Sequence, residues 1–405
     1  MNLNLNKQIL IIVNKYGQGG TFNAALNFSI GYQKLGYKNQ ILFLKTKKVR
    51  NDLKKILKKK QINLLNVKDL NKIKKPDFIH IIGHGIHLPL IKKISKKFPD
   101  SKIYESNIFG KKNSYEYLLE ESWQLNNWCN FNYILSGGKK NYNYLPLPVN
   151  YDFLLEYKKK YSKHKSKRNR LSILKISQDA NGKWSKNLIN IFSKVYLKNN
   201  KATLTLVTPP KEIKFQIKKL PSNIKKQISI INKIYSYEQL YRLYSISNTF
   251  LHLTQQGETF GYVLFEANFF DCKMICNETP WADNSQVEIL RDLYNQNHSY
   301  NNNYSIIRSI TEPIKFNENK KYFLKKNLKK YSHINVCKNA IKIMTNNGNY
   351  TKTKNYNLKT LINLIINPNK DLVTFSKNLF LKIIVIIFSI YSFKILKKLR
   401  RVNII

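Results

Sequence analysis

Acidic residues and arginine are scarce in this 405-residue chain. Only 23 residues are Asp or Glu, against 71 Lys and Arg, and just eight of those 71 are Arg. Arginine is the residue best suited to paired contacts with bases and phosphates, so its scarcity argues against sequence-specific nucleic-acid binding. The lysines are spread along the chain, so the formal charge of +48 predicts only a general attraction to anionic surfaces.

Cysteine is also scarce. The sequence contains no CxxC pair, and its four cysteines predict buried, reduced thiols in a cytosolic protein: Cys129, Cys272, Cys276 and Cys337. No secretory signal is predicted, because the first residues run directly into an apolar, strand-like segment. No Asp-x-Asp motif follows a predicted strand, so we expect no metal site.

Apolar runs alternate with helical patterns over most of the chain. The run QILIIV is typical of a strand buried on both faces, and a glycine-containing turn, a helical pattern and the strand NQILFL follow it. This order predicts a βαβ unit. Further strands are predicted at Phe78–Ile82 and in the segments SKIYES and NYILSG. This half of the chain therefore indicates a parallel α/β domain.

A second alternating series starts after the basic segment at 157–170. Its predicted strands are LSILKIS, ATLTLVTP, KQISII, TFLHLT and CKMICNE, with helices in KWSKNLINIFSKVYLKNN, SYEQLYRLYSIS and TFGYVLFEANFF. Two α/β series of similar size predict two Rossmann-like domains that face each other. In such open sheets a ligand lies at the carboxyl ends of the strands.

The last segment, Leu379–Arg401, differs from the rest of the chain. It holds eleven uncharged residues, Ile383–Phe393, which as a helix would cover about 16 Å, roughly half of a bilayer's hydrocarbon core. Its basic end, KILKKLRR, is typical of contacts with anionic lipid. From the residues alone, three alternatives stay open: a buried terminal helix, an interfacial membrane helix, or a membrane span.

Two of the few acidic residues, Glu258 and Glu266, stand at either end of an apolar run in GETFGYVLFE. Glu258 follows a predicted strand and a short loop, where a helix is about to begin. The free backbone N–H groups around Thr259, Phe260 and Gly261 therefore predict an anion site. Glu266, about two helical turns on, is expected to point into the same crevice. A diphosphate at the amides and hydroxyls at the carboxylates describe a nucleotide sugar.

The Glu-x7-Glu spacing in ETFGYVLFE, together with TPWADNSQVEIL downstream, resembles the retaining GT-B glycosyltransferases of family 4. The resemblance covers roughly residues 8–330 and is strongest over 171–290. It implies an α/β fold of two Rossmann-like domains facing across a cleft. Residues 1–165 would form the acceptor domain, 166–335 the nucleotide-sugar domain, and 336–405 the C-terminal helices with a hydrophobic and basic tail.

The resemblance also implies an activity. The protein would be a hexosyltransferase-like enzyme that moves a sugar from a nucleotide-sugar donor to a glycan or lipid-linked acceptor with retention of configuration. We expect a role in surface polysaccharide biosynthesis, in the cytoplasm or at the inner face of an anionic membrane. No cofactor is expected, because the nucleotide sugar is a substrate and the fold does not normally need a metal ion. The alternative is a non-catalytic relative that binds a nucleotide sugar or a glycan.

In that family the first Glu of the motif contacts the donor sugar and the second the ribose, roles that Glu258 and Glu266 would inherit. The segment GQGGT resembles the N-terminal glycine loop, which implies that Gly19 and Gly20 approach the donor phosphates or the acceptor. No protein nucleophile is demanded, since the leaving diphosphate helps to deprotonate the acceptor hydroxyl. The protein then supplies positioning and charge stabilisation.

The segment ILKISQDANGKWS resembles the part of the family that brings an Arg and a Lys to the diphosphate. Lys183 matches the Lys. The Arg position falls on Lys175 or Gln178, depending on the alignment, so the forked guanidinium contact is missing.

The family also carries an N-domain histidine near the reacting sugar, and FIHIIGHGIH offers three candidates. His80 lies within the strand, where a core or wall residue is expected. His84 stands between two glycines just past the strand end, and we predict it as the catalytic histidine, with His87 and His80 as alternatives. His252 in FLHLT is predicted to be a hydrogen-bonded wall residue beside the donor site.

Overall fold

The computed structural model describes residues 7–17, 19–46, 50–83, 85–138, 143–161, 171–277, 279, 285–294, 299–300, 302–312 and 326–345. These residues form two compact units. The first holds the described residues up to 151 together with 329–345, and the second holds those of 152–328. Each unit contains one six-stranded sheet whose paired strands are all parallel.

The first sheet has the strand order β3-β2-β1-β4-β5-β6. Its strands are β1 Gln8–Tyr16, β2 Lys38–Thr46, β3 Asn63–Asn66, β4 Phe78–Ile82, β5 Lys102–Asn107 and β6 Glu121–Gln124. The α-helices described in this part of the chain are α1 Gly20–Lys34, α2 Asn51–Lys59, α3 Leu88–Lys97 and α4 Asn127–Leu135, and α5 Tyr151–Tyr161 leads into the second unit.

The second sheet has the order β12-β11-β10-β7-β8-β9. Its strands are β7 Ser172–Ile176, β8 Thr203–Val207, β9 Ile228–Ile231, β10 Thr249–His252, β11 Lys273–Asn277 and β12 Ser299–Tyr300. The helices described here are α6 Leu188–Lys198, α7 Lys211–Lys218, α8 Ser222–Lys225, α9 Tyr237–Ile246, α10 Tyr262–Phe269, α11 Ser285–Tyr294 and α12 Asn303–Thr311. Helix α13, His333–Thr345, belongs to the first unit.

The strand β1 is buried on both faces, as its continuous apolar run predicts. Residues 9–13 have no exposed surface, because β2 pairs on one side, β4 pairs on the other, and α1 packs on the sheet. The predicted strand at Phe78–Ile82 is confirmed with the same bounds, and all five of its residues are buried. In both sheets the strands that follow the first strand in sequence lie on one side of it, and the later strands lie on the other. The strand order therefore reverses at β1/β4 and at β7/β10.

The prediction of a strand in NYILSG was wrong, because these residues lie mostly in helix α4. The Asn126 side chain caps that helix by accepting from the backbone N–H of Cys129 at 2.9 Å. An Asn at this position satisfies one of the free N–H groups of the first turn. The sheet continues instead through β6, ESWQ, whose polar sequence has no apolar run. Short apolar runs do not distinguish a buried strand from a buried helix.

Helix α13 packs closely on α1 through a glycine. The Sγ of Cys337 lies 3.5 Å from the carbonyl oxygen of Phe28, and Gly31 lies against the same turn of α13. A Cβ built on Gly31 would overlap Cys337 Sγ and would lie 2.7 Å from the carbonyl oxygen of His333. The absence of a side chain at Gly31 therefore sets the distance between the two helices.

We expect Gly31→Ala to lower the free energy of unfolding by about 1–3 kcal/mol, the usual cost of an extra methyl group in a filled core. Urea unfolding of the full chain measures the loss. In a Cys337→Ala background the cost should shrink without vanishing, because the clash with Sγ is relieved and the clash with the His333 carbonyl is not. Equal losses in both backgrounds would contradict this packing explanation.

A carboxylate is buried in the core of the first unit. Glu105 on β5 is 1% exposed and accepts hydrogen bonds from Asn113 at 2.5 Å, Tyr115 at 2.7 Å and Ser122 at 2.8 Å. Burial raises the pKa of Glu105 to about 7, against the opposing effect of these three donors. The donors satisfy the carboxylate, so Glu105 has a structural role here.

All four cysteines are buried and lie outside any disulfide, which confirms the prediction of buried thiols. Within the described parts of the chain, every helix is too short or too polar to cross a membrane. The predicted tail, Leu379–Arg401, lies outside the described residues.

Candidate functional site

A cluster of charged and basic side chains lies at the carboxyl ends of β7 and β10. These two strands are neighbours, with Thr249 paired to Ile173 and Phe250 to Leu174, and the strand order reverses between them. A reversal of this kind opens a crevice at the carboxyl edge of a parallel sheet, which is where such folds bind ligands. Lys175 lies near the end of β7 and His252 is the last residue of β10.

Glu258 is the centre of this cluster. Its Oε2 accepts a hydrogen bond from Lys183 Nζ at 3.0 Å, and its Oε1 lies 3.5 Å from His252 Nε2. Lys183 Nζ also donates to the carbonyl oxygen of Gly257 at 3.2 Å. The Glu258 side chain is 16% exposed and that of Lys183 is 26% exposed. The pair is therefore shielded from water on most sides and still open to a ligand.

The backbone of Glu258 is fixed from two directions by the start of α11. Its N–H donates to Gln286 Oε1 at 2.9 Å, and its carbonyl oxygen accepts from the N–H of Ser285 at 3.1 Å. Ser285 and Gln286 have no exposed surface. Ser285 and Gln286 belong to the downstream segment TPWADNSQVEIL, so this segment fixes the backbone that carries the Glu258 side chain.

The cluster favours an ionised Glu258 and a neutral His252. Burial opposes the charge of Glu258, but Lys183 and His252 outweigh it and lower the pKa of Glu258 to about 2. Burial, followed by the charge of Lys175, lowers the pKa of His252 to about 4 despite the nearby carboxylate. His252 is buried, as a wall residue should be, and its described polar contact is that of Nε2 with Glu258 Oε1 at 3.5 Å.

Lys175 is the most deeply buried charge carrier of the cluster. It has no exposed surface, and its Nζ lies 5.3 Å from the ring centroid of Trp184. Within the described residues Nζ has no hydrogen-bond partner. Burial lowers the pKa of Lys175 to about 7, with Glu258 opposing that shift and Lys183 adding to it. Gln178, the other position aligned with the family's Arg, is exposed.

The turn after Glu258 leads into α10 in the way that the sequence predicts. Gly261 precedes the helix with φ of 74°, a left-handed conformation that favours glycine, and α10 begins at Tyr262. Phe260 is 3% exposed and its ring stacks on Phe265 at 4.7 Å, so its side chain belongs to the core. A ligand at Phe260 and Gly261 would therefore meet backbone, as the prediction of an amide site requires.

Glu266 lies on α10 with 8% of its surface exposed. Its Oε2 accepts a hydrogen bond from the hydroxyl of Tyr244 at 3.0 Å. Burial, reinforced by the charge of Glu266, raises the pKa of Tyr244 well above its ordinary value, so the hydroxyl remains a neutral donor. Glu266 thus has a partner within the fold, which the sequence did not reveal. Its contact with a donor ribose stays a prediction.

Two candidate residues of the first unit, Gly19 and Gly20, follow β1, which lies at that sheet's own reversal point, β1/β4. Gly19 has φ of 133° and caps α1, Gly20 is the first residue of that helix, and an added Cβ at Gly19 would meet nothing within 4 Å. His84, the predicted catalytic histidine, lies outside the described residues. His87 is exposed just before α3.

His80 is a core residue, as its place within the strand predicts. Its Nδ1 lies 3.0 Å from the Tyr32 hydroxyl and its Nε2 lies 2.8 Å from Ser106 Oγ. Burial lowers the pKa of His80 to about 3, so the ring is neutral. It has no exposed surface, so it is not placed to contact a substrate.

No group of three or more His, Cys, Asp or Glu side chains that could hold a metal ion occurs among the described residues. The Glu258 cluster contains two lysines and a single carboxylate. A set of this composition suits an anionic ligand with hydroxyl groups better than a cation.

Comparison with solved structures identifies the fold. HepE from Anabaena, in complex with UDP-glucose, is 12% identical with a TM-score of 0.63, and the match covers 84% of this chain and 99% of HepE. A glycosyltransferase from Rickettsia africae is 16% identical with a TM-score of 0.62 over 84% and 99%. Trehalose-6-phosphate synthase OtsA is 10% identical with a TM-score of 0.60 over the same shares.

The chain therefore has the α/β GT-B fold, with two parallel-sheet units like those of these proteins. No protein-family model matches the sequence, and no curated protein sequence does either.

Proposed function

We propose that this protein is a glycosyltransferase that takes a sugar from a nucleotide-sugar donor and transfers it to a glycan or lipid-linked acceptor. One observation carries the proposal: the Lys183–Glu258 pair lies at the β7/β10 reversal of a GT-B fold. The complexes of HepE with UDP and with UDP-glucose support the choice of donor class. The proposal includes retention of configuration, membership of family 4 and a role in surface polysaccharide biosynthesis, all implied by the sequence motif.

Each residue of the cluster has a role in this proposal. Lys183 contacts the diphosphate, Glu258 accepts hydroxyl donors of the donor sugar, and Glu266 accepts from the ribose. The backbone N–H groups of residues 259–261 bind phosphate oxygens. Because Lys183 and Glu258 pair at 3.0 Å within the fold, the donor would bind beside an ion pair that positions both side chains.

The reaction that we propose needs no protein nucleophile. The acceptor hydroxyl attacks the anomeric carbon on the face from which the diphosphate leaves, and the departing phosphate oxygen takes the hydroxyl proton. The chain's own contribution is to stabilise the charge that develops on the diphosphate, through Lys183 and the amides. We propose that His84, in the sequence of the first unit, contacts the reacting sugar, and that Gly19 and Gly20 approach the donor phosphates or the acceptor.

Thermal unfolding with a panel of nucleotide sugars tests the donor class, since a ligand that binds only the folded state raises the melting temperature. UDP-glucose, GDP-mannose and UDP-N-acetylglucosamine, each beside its free nucleoside diphosphate, cover the main alternatives. A rise in melting temperature with one of these nucleotide sugars supports the proposal. Release of the nucleoside diphosphate in the presence of a glycan acceptor then establishes transfer.

A non-catalytic relative that binds a nucleotide sugar or a glycan is the second candidate. The observation that favours it is the position expected to carry an Arg, which holds either the buried Lys175 or the exposed, uncharged Gln178. Donor binding without nucleoside diphosphate release, across an acceptor panel that includes lipid-linked sugars, would favour this candidate over the enzyme.

We also propose that residues 379–401 hold the protein at the inner face of an anionic membrane, where a lipid-linked acceptor is found. Truncation after Asp371 is expected to abolish binding to phosphatidylglycerol vesicles and to leave donor binding unchanged. Vesicle sedimentation at low and high salt measures the effect. Salt should release the full chain only in part, because ionic strength weakens charge attraction but not apolar insertion. A truncated chain that no longer folds would instead identify the segment as a core helix.

A further inference from the structure

The Glu258 cluster contains more basic groups than its one carboxylate can neutralise. Glu258 is paired with Lys183 at 3.0 Å and lies 3.5 Å from His252, so one carboxylate faces two lysines and a histidine. The Lys175 Nζ has no hydrogen-bond partner among the described residues and lies 5.3 Å from the Trp184 ring centroid. A fully buried ammonium in this position is poorly compensated.

The groups that act on Lys175 come from each element around it. Glu258, in the loop before α10, attracts the Lys175 charge, and Lys183, in the short 3-10 turn after β7, repels it. His252 on β10 is neutral in this environment and adds no charge of its own. The register partner of Lys175 on β8, Leu206, is apolar. An anion that binds beside Lys183 would therefore add negative charge near Lys175 and favour its ammonium form.

We propose that Lys175 is a proton-linked positioning residue: in weakly alkaline solution it is neutral in the free protein, and it takes up a proton from solvent when the donor's diphosphate binds beside Lys183 and Glu258. The inference rests on the proposed function, because it assumes an anionic ligand at this pair. Burial lowers the pKa of Lys175 to about 7. A ligand with two negative charges next to the cluster favours the ammonium form and raises that pKa again.

The free protein supplies a test that needs no ligand. In the unfolded chain the Lys175 side chain keeps its proton up to the ordinary lysine pKa of 10.5. In the folded protein the same side chain releases that proton near pH 7. The folded state therefore gains stability relative to the unfolded state as the pH rises above about 7. The difference in urea midpoint between wild type and Lys175→Met should grow in favour of wild type from pH 7 to pH 9. Lys186→Met, which removes an exposed lysine of the same segment, should show a difference that does not depend on pH.

The coupling itself is measured by calorimetry with UDP-glucose between pH 6 and 8.5, where its two phosphates keep a constant charge. Uptake of one proton predicts that the affinity of wild type falls by up to about tenfold per pH unit above pH 7. Titrations in two buffers of different ionisation enthalpy should report an uptake approaching one proton per UDP-glucose at pH 8. In Lys175→Met the affinity should be independent of pH, and Lys186→Met should behave as wild type.

Three results would overturn the inference. The first is a wild-type affinity that does not change with pH, and the second is an equal pH dependence in wild type and Lys175→Met. The third is a difference in urea midpoint that stays constant from pH 7 to 9. If Lys175→Met does not fold, Lys175→Gln replaces it in the same measurements. Failure of every nucleotide sugar of the panel to bind at any pH would overturn the ligand part together with the proposed function, whereas the unfolding data decide the Lys175 titration by themselves.

Discussion

Replacing Glu258 by Gln should lower kcat/KM for the nucleotide sugar by about 100-fold to 1,000-fold, the usual effect of removing one preorganised electrostatic contact from a reacting centre. Gln keeps the length of the side chain, and the backbone at this position stays fixed by Ser285 and Gln286. The change therefore removes the charge and leaves the geometry. It also leaves Lys183 without its carboxylate partner, next to the buried Lys175.

The matched control is a Glu–Lys pair on the surface of the same unit. Glu238 pairs with Lys160 at 2.5 Å, and each side chain is 55% exposed. Glu238→Gln should leave kcat/KM within about twofold of wild type, because an exposed pair contributes little. Initial rates of nucleoside diphosphate release, with circular dichroism to confirm folding, measure both variants. Equal activity in wild type and Glu258→Gln would exclude Glu258 from the reacting centre.

The fold could be predicted from the sequence where strands are buried on both faces. Such strands are mostly apolar runs, and β1, β4 and β7 lie where those runs are, although His80 interrupts β4 and Lys175 interrupts β7. The strand β6 could not be found this way, since its sequence ESWQ is polar. Its hydrogen bonds with β5 come from the tertiary arrangement, which local periodicity does not encode.

The same limit applies to polar side chains that the fold buries. Glu105 lies within a predicted strand segment, but its three donors come from residues 8, 10 and 17 positions further on. Nothing in the local pattern identifies these residues as neighbours. The packing of α13 on α1 is a similar case, because Gly31 and Cys337 are over 300 residues apart and meet only in the folded unit.

The candidate site, too, could be predicted from the sequence only in part. The sequence motif places Glu258 before a helix, and Lys183 was predicted from a separate segment; the fold brings the two within 3.0 Å. His252 was identified, but its nearness to Glu258 depends on the course of the loop that follows β10, which the sequence leaves open. Gln286 and Tyr244 were missed. The motif TPWADNSQVEIL was the available signal for Gln286, and no local signal marks Tyr244.

Glu266→Ala is the second variant for which we expect a large effect, a loss of donor affinity of about 10-fold to 100-fold. The physical reason is the loss of an ionised acceptor for paired hydroxyls, since hydrogen bonds to charged groups contribute about 1.5–3 kcal/mol. Because Glu266 also accepts from Tyr244, the Ala variant should lose stability as well, by about 1–3 kcal/mol for the unsatisfied hydroxyl. Calorimetric titration and urea unfolding separate the two losses.

Two further variants assign each loss to its cause. Tyr244→Phe removes only the internal hydrogen bond, so it should lower stability by about 1 kcal/mol and change donor affinity by less than about threefold. Glu266→Gln keeps an oxygen that can accept from Tyr244 while removing the charge, so affinity should fall and stability should stay near that of wild type. If Glu266→Ala loses stability with unchanged affinity, Glu266 is a structural partner of Tyr244. If Tyr244→Phe loses as much affinity as Glu266→Ala, the hydroxyl is what orients the carboxylate toward the ribose.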